Sequence, residues 1–223
     1  HDVLLQPGDV VAFKRGSVYR GPLVVLASGE EGRPITFTSY GVGEQPKFYN
    51  PDNENEYGNC FRIYGSWIVI EQLYFQDTQP PMYGDHDGGI YQTAAINMRE
   101  GADHNIIRKN TFINCVKALQ LNGEYTLVTE NTMNGPDKAL WYFANLGWTD
   151  GWGPMAIQIG IGNQEISYNI IKNYQTHDSP YASGDGGAIE LDDLRKHKDN
   201  IYVHHNYSIG NNYIILYDTL IQS

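Results

Sequence analysis

From Tyr57 onward the chain repeats one alternation of apolar and polar positions. Each copy reads small, apolar, variable, apolar: Cys60-Phe61-Arg62-Ile63, Ala95-Ile96-Asn97-Met98, Ala118-Leu119-Gln120-Leu121, Ala156-Ile157-Gln158-Ile159, Ala188-Ile189-Glu190-Leu191 and Tyr213-Ile214-Ile215-Leu216. A period of two predicts short strands that bury one face. A second strand type ends in Asn: Ile107-Arg108-Lys109-Asn110, Val128-Thr129-Glu130-Asn131, Ile166-Ser167-Tyr168-Asn169 and Val203-His204-His205-Asn206. Leu73 takes the Asn place in the earliest copy. Before the repeat, PGDVVAF, GPLVVLAS and RPITFTSYG read as three further strands punctuated by Gly and Pro.

The shortest full repeat, Asn110 to Asn131, is 21 residues. A unit of that length holding several short strands is one coil of a β-solenoid, and the period of two leaves helical repeats unsupported. The prediction is an all-β chain, residues 1–223 forming one parallel β-helix domain. The asparagines fall at a bend, where an Asn ladder would bond side-chain amides to one another and to turn backbone.

Coils stacked at roughly 4.8 Å put Arg62, Asn97, Gln120, Gln158, Glu190 and Ile215 in one outward row. Tyr64, Arg99, Asn122, Gly160, Asp192 and Tyr217 form a second. Three long insertions, Gln76–Thr93, Gly135–Pro154 and Tyr174–Gly187, all fall between the Asn bend and the next alternating strand. A fixed place in the coil means one side of the solenoid, so these segments should wall a groove beside the two rows.

The run PGDVVAFKRGSVYRG, followed by a strand and RPITFTSYG, resembles the first coil of secreted right-handed parallel β-helix enzymes that act on polysaccharides. This is the pectate-lyase-like superfamily, which holds both lyases and glycoside hydrolases. The resemblance implies a right-handed helix, a cleft on one sheet face, and a secreted or cell-surface location. In that family the coil follows a short stretch missing here, and only seven residues follow Leu216. The solenoid is therefore expected to be incomplete at both ends, continued by a missing segment or a second chain.

Composition narrows the partners. With 24 Gly, 17 Tyr and a net charge of -11, the chain reads as a strand-and-turn protein and not as a nucleic-acid binder. No apolar run reaches membrane-spanning length. Cys60 and Cys115 lead strands two coils apart, roughly 10 Å, and are expected as free thiols.

The candidate chemistry lies on the groove. Glu190 and Asp192, one strand period apart, suit the acid and base of a glycoside hydrolase, or a calcium site shared with Asp193. Arg62, Tyr64 and Arg99 lie on the same face, with Asn97, Asn122 and Gln158 as further substrate contacts. β-Elimination from a uronic acid polysaccharide needs a neutralised carboxylate, a base for the C5 proton and a donor for the leaving oxygen. Arg99, Tyr64 and His177 are candidates for these roles beside Glu190 and Asp192, and His86 for binding. Trp141, Trp148 and Trp152, within one insertion, suit stacking on sugar rings.

The leading expectation is a lyase of an acidic glycan. A hydrolase using Glu190 and Asp192 is the alternative, and a non-catalytic glycan-binding solenoid the third. Calcium is the one cofactor considered, and a polysaccharide or oligosaccharide the expected partner.

Overall fold

The computed structural model describes residues 4–50, 58–78, 93–136, 153–176, 186–192 and 196–217. Among them the chain forms 21 strands and no helix, arranged as three seven-stranded sheets. Every neighbouring pair of strands within a sheet is parallel, and each sheet takes every third strand in chain order. This is a parallel β-helix, in which one coil contributes one strand to each sheet.

Sheet A runs from Val10–Lys14 through Ile35–Tyr40, Ile68–Glu71, Ile106–Arg108, Thr126–Thr129 and Gln164–Ser167 to Ile201–His204. Sheet B runs from Val18–Arg20 through Lys47–Tyr49, Tyr74–Gln76, Thr111–Ile113, Thr132–Asn134 and Ile170–Lys172 to Tyr207–Ile209. Sheet C holds Leu23–Val25, Phe61–Ile63, Ile96–Met98, Lys117–Leu121, Met155–Ile159, Gly187–Leu191 and Tyr213–Tyr217. The small-apolar-variable-apolar copies are the sheet C strands, and the Asn-terminated copies lead out of sheet A.

Inward residues stack as columns of like side chains. On sheet B, Tyr19, Phe48, Phe75 and Phe112 follow one another with ring centroids 5.2, 5.5 and 5.0 Å apart, and Met133 and Ile171 continue the column. On sheet C, Phe61, Ile63, Ile96, Met98, Leu119, Leu121, Ile157 and Ile159 have no exposed surface. Burying one such side chain stabilises the fold by roughly 1.5–3 kcal/mol. Cys60 and Cys115 are buried free thiols, and burial pushes the Cys115 thiol up to about 11.

The bend between sheets A and B shows why Asn recurs there. Gln72, Lys109, Glu130, Tyr168 and His205 each take a left-handed backbone conformation, with φ between 54 and 58°. For a non-glycine residue that costs about 1–2 kcal/mol, so the next position must compensate. Asn110, Asn131 and Asn169 each donate a backbone N–H to the Oδ1 of the next asparagine along the axis, at 3.0, 3.0 and 2.9 Å. The Nδ2 groups of Asn110, Asn131, Asn169 and Asn206 donate to Ile70, Ile107, Val128 and Ile166 carbonyls at 2.9, 2.9, 2.9 and 2.7 Å. Leu73 at the same bend donates its N–H to Asn110 Oδ1 at 3.0 Å.

All three long insertions leave sheet B and enter sheet C, after Gln76, Asn134 and Lys172 and before Ile96, Met155 and Gly187. They therefore attach at one corner of the coil. Their central residues, 79–92, 137–152 and 177–185, lie outside the described residues.

Candidate functional site

Sheet C supplies the two outward rows. Register pairs Arg62 with Asn97, Asn97 with Gln120, Gln120 with Gln158, and Gln158 with Glu190. The row ends differently from the sequence expectation: Glu190 pairs with Leu216, and Ile215 stands opposite Ile189. Backbone bonds trace the second row. The N–H groups of Tyr64, Arg99, Asn122, Gly160 and Asp192 reach Val25, Ile63, Met98, Leu121 and Ile159 carbonyls at 2.8–3.2 Å. Tyr217 pairs with Leu191, one position short of this row.

These rows point away from the core, yet most of their polar members are buried. Asn97 and Gln158 have no exposed surface, Gln120 has 3%, Glu190 6% and Asp192 8%. Asn97 Nδ2 donates to Gln120 Oε1 at 3.4 Å. Buried polar groups need partners and buried charges need compensation, so this face carries an electrostatic cost that a solvated sheet face avoids.

A residue not singled out in the sequence reading sits at its centre. Lys117, 5% exposed at the start of its sheet C strand, donates from Nζ to Gln158 Oε1 on the next coil. Burial pulls its ammonium down to about 8 from the ordinary lysine value, opposed by the negative charges of Glu190 and then Asp192. Gln158 Nε2 and Asn122 Oδ1 are buried and make no hydrogen bond among the described residues. Lys117 was visible in the repeat: Asn59, Ala94, Lys117, Met155 and Gly187 precede the small residue in successive copies, and Lys117 alone is charged.

The other candidates spread along the sheet. Arg62 lies 5.6 Å over the ring of Tyr64, which is 41% exposed. Arg62 is four strand spacings from Glu190, roughly 19 Å, and Arg99 three from Asp192, roughly 14 Å. Arg62 and Tyr64 thus lie toward one end of the face and Glu190 and Asp192 toward the other, with Lys117 on the middle strand between them. Arg62 and Glu190 are too far apart to act on one glycosidic bond; they can act on neighbouring sugars. Trp141, Trp148, Trp152, His86, His177 and Asp193 lie outside the described residues.

Of the expected calcium ligands Glu190, Asp192 and Asp193, the last lies outside the described residues. No group of three or more His, Cys, Asp or Glu among them could hold a metal. Glu190 and Asp192 fall short of the six to eight oxygens calcium takes, and Gln158 Oε1 is already bonded to Lys117.

No family model matches the chain, and no curated protein matches it. Among solved structures, the chain is similar to a mannuronic acid specific polysaccharide family 6 lyase from human gut microbiota, at 16% identity and a TM-score of 0.53. That match covers 96% of this chain and 47% of the other, so the chain spans about half the length of that enzyme. A GH136 lacto-N-biosidase from Eubacterium ramulus matches at 12% identity and a TM-score of 0.44, over 95% of this chain and 52% of that one. An alginate lyase from Paenibacillus sp. str. FPU-7 matches at 14% and 0.42, over 93% of each chain. The last two are too distant to carry an argument. The first is a likeness of fold, and the fold is the parallel β-helix described above.

Proposed function

We propose that this chain belongs to a lyase that cleaves a uronic acid-containing polysaccharide by β-elimination in a groove on the outward face of sheet C. One observation carries the reading: a buried lysine, hydrogen-bonded to a buried glutamine, with its ammonium held near 8. A lysine tuned toward neutrality is a suitable base for a proton next to a carboxylate. In this account Lys117 removes the C5 proton, the electron pair forms the C4–C5 double bond, and the C4–O bond breaks. The departing oxygen takes a proton from water, and Lys117 later returns the C5 proton to solvent. Gln158 Nε2 donates to the uronate carboxylate as charge builds there, the role preorganised donors perform best in a water-poor site. Arg62 and Arg99 bind carboxylates of neighbouring sugars. The fold likeness to a mannuronic acid specific lyase supports the same reading. On this reading the protein acts on a glycan outside the cell, as a secreted or cell-surface protein.

The buried pair Glu190 and Asp192 favours a second reading, a glycoside hydrolase with these two as acid and base. It leaves the buried Lys117 without a part in the chemistry.

The test is product analysis on a panel of uronic and neutral glycans. The lyase reading expects unsaturated products that absorb in the ultraviolet, formed from uronic substrates alone. New reducing ends without that absorbance make the protein a hydrolase, and tight binding without turnover makes it a glycan-binding solenoid.

A further inference from the structure

Sheet B is the face that the chemistry of sheet C leaves unused, and its charge differs from the rest of the chain. Its strands carry Arg20, Lys47 and Lys172 on outward positions and no acidic residue, in a chain of net charge -11. The strands of sheet A hold Glu71 and Glu165, and those of sheet C hold Glu190. A basic stretch on an acidic protein draws anions to that one place.

Two of the three cations stand beside tyrosines. Lys47 pairs in register with Tyr74, and its Nζ lies 5.2 Å from the centre of that ring. Arg20 pairs with Tyr49, and its guanidinium lies 5.9 Å from the ring centre. Lys47 and Arg20 sit on adjacent strands two positions out of step, so their Cα atoms are roughly 8 Å apart. A cation held beside an aromatic ring offers a charge for a carboxylate and an apolar surface for a sugar ring.

Beside Lys47 lies a depression of about 390 Å³ lined by Glu44, Gln45, Lys47, Tyr74 and Thr111. Its wall is already fixed. Gln45 Nε2 donates to the Lys109 carbonyl at 3.0 Å, and Gln45 Oε1 accepts from Thr111 Oγ1 at 2.8 Å. The Glu44 carbonyl accepts from the Gly16 N–H at 2.9 Å, and the Pro46 carbonyl from the Tyr74 N–H at 3.0 Å. Coils on both sides thus hold residues 44–46. Lys47 Nζ is 3.7 Å from Glu44 Oε2, whose side chain is 83% exposed. So solvated a pair costs little to part, which leaves the lysine able to take another anion.

We propose that this depression is a second glycan site, on a different sheet from the reacting groove, and that it takes an acidic sugar. The uronate carboxylate pairs with Lys47 and Arg20, and the sugar ring packs on Tyr74. A volume at the small end of the range for ligand sites suits a short saccharide. The choice of a sugar as ligand rests on the proposed function; the cations, the rings and the depression do not.

The test is an NMR titration of the protein with a mannuronic acid disaccharide, with mannobiose and inorganic phosphate as controls. The acidic disaccharide should shift the amides of Gln45, Lys47, Tyr74 and Thr111. The double variant Arg20→Gln, Lys47→Gln should weaken that binding about tenfold or more, as expected for lost hydrogen bonds to charged groups. Both side chains face solvent, and an unchanged melting temperature confirms the fold. Shifts at Gln120 and Gln158, on sheet C, should persist in the variant. No shift on sheet B, or the same affinity in the variant, overturns the site. Equal shifts with mannobiose overturn the acidic specificity, and equal shifts with phosphate reduce the site to a simple anion site and overturn the sugar. If the protein cleaves no uronic glycan, the lyase reading fails, and the sheet B titration still decides this site.

Discussion

Along sheet A and its bend, polar side chains meet near solvent and in pairs. Arg108 and Glu71 stand 2.7 Å apart, Lys109 and Glu130 3.8 Å, and His204 and Glu165 3.4 Å, with Tyr202 63% exposed beside them. On the sheet C face, beyond the more open Arg62, Tyr64 and Arg99, stand Lys117, Glu190 and Asp192, all under 9% exposed, beside Gln120 and Gln158 with little or no exposed surface. Both faces are built on the same coils with the same alternation. Solvated pairs cost little and contribute little, typically about 0–1 kcal/mol. Buried charges carry a desolvation penalty of several kcal/mol each, and the fold does not require these. Gln120 and Gln158 occupy the Glu190 place in the two preceding coils, and Asn122 and Gly160 the Asp192 place. Charge kept where the scaffold accepts neutral residues points to chemistry.

The sharpest way to break the comparison is to remove the buried charges. Lys117→Met should lower turnover on a uronic glycan by about 10²–10⁴-fold, the usual range for a lost acid or base. Steady-state rates on folded protein check this, and a change below a few-fold would reduce Lys117 to a packing residue. Next in size is the bend. Asn131→Ala removes amide bonds to Ile107 and Thr129 carbonyls and the acceptor for Asn110. It should destabilise the protein by roughly 1–3 kcal/mol, read from denaturant unfolding, while the folded fraction keeps its turnover. The smallest effect belongs to the exposed pair. Lys109→Ala or Glu130→Gln should change stability by less than about 1 kcal/mol and leave turnover alone, measured by the same two methods.

Much of this architecture is legible in the amino-acid sequence, because a period of two with a small leading residue fixes both element type and phase. The rows from Arg62 to Glu190 and from Tyr64 to Asp192 follow from it. The phase fails in the last coil, where Tyr213-Ile214-Ile215-Leu216 is apolar at every position and has no small residue to mark the start. A one-residue slip then goes unnoticed, and every side chain changes face. Lys117 escapes for a different reason. It precedes the repeating unit, and its role comes from a long side chain reaching across to the next coil, which strand alternation cannot express. The contacts of Lys196, His197 and Lys198 escape because their partners, Glu100, Glu124 and Gly160, are 38–96 residues away in sequence.

The central claim is that Lys117 acts as a neutral base on the buried face of sheet C. Its most direct test is the pH dependence of kcat/KM on a uronic glycan, which reports groups of the free enzyme. A base must be unprotonated, so the rate should climb with pH and level off above about 8, the value at which Lys117 loses its proton. Lys117→Met should lose that rising limb. A profile that falls through the same range would mean that Lys117 works as an ammonium, and it would contradict the account.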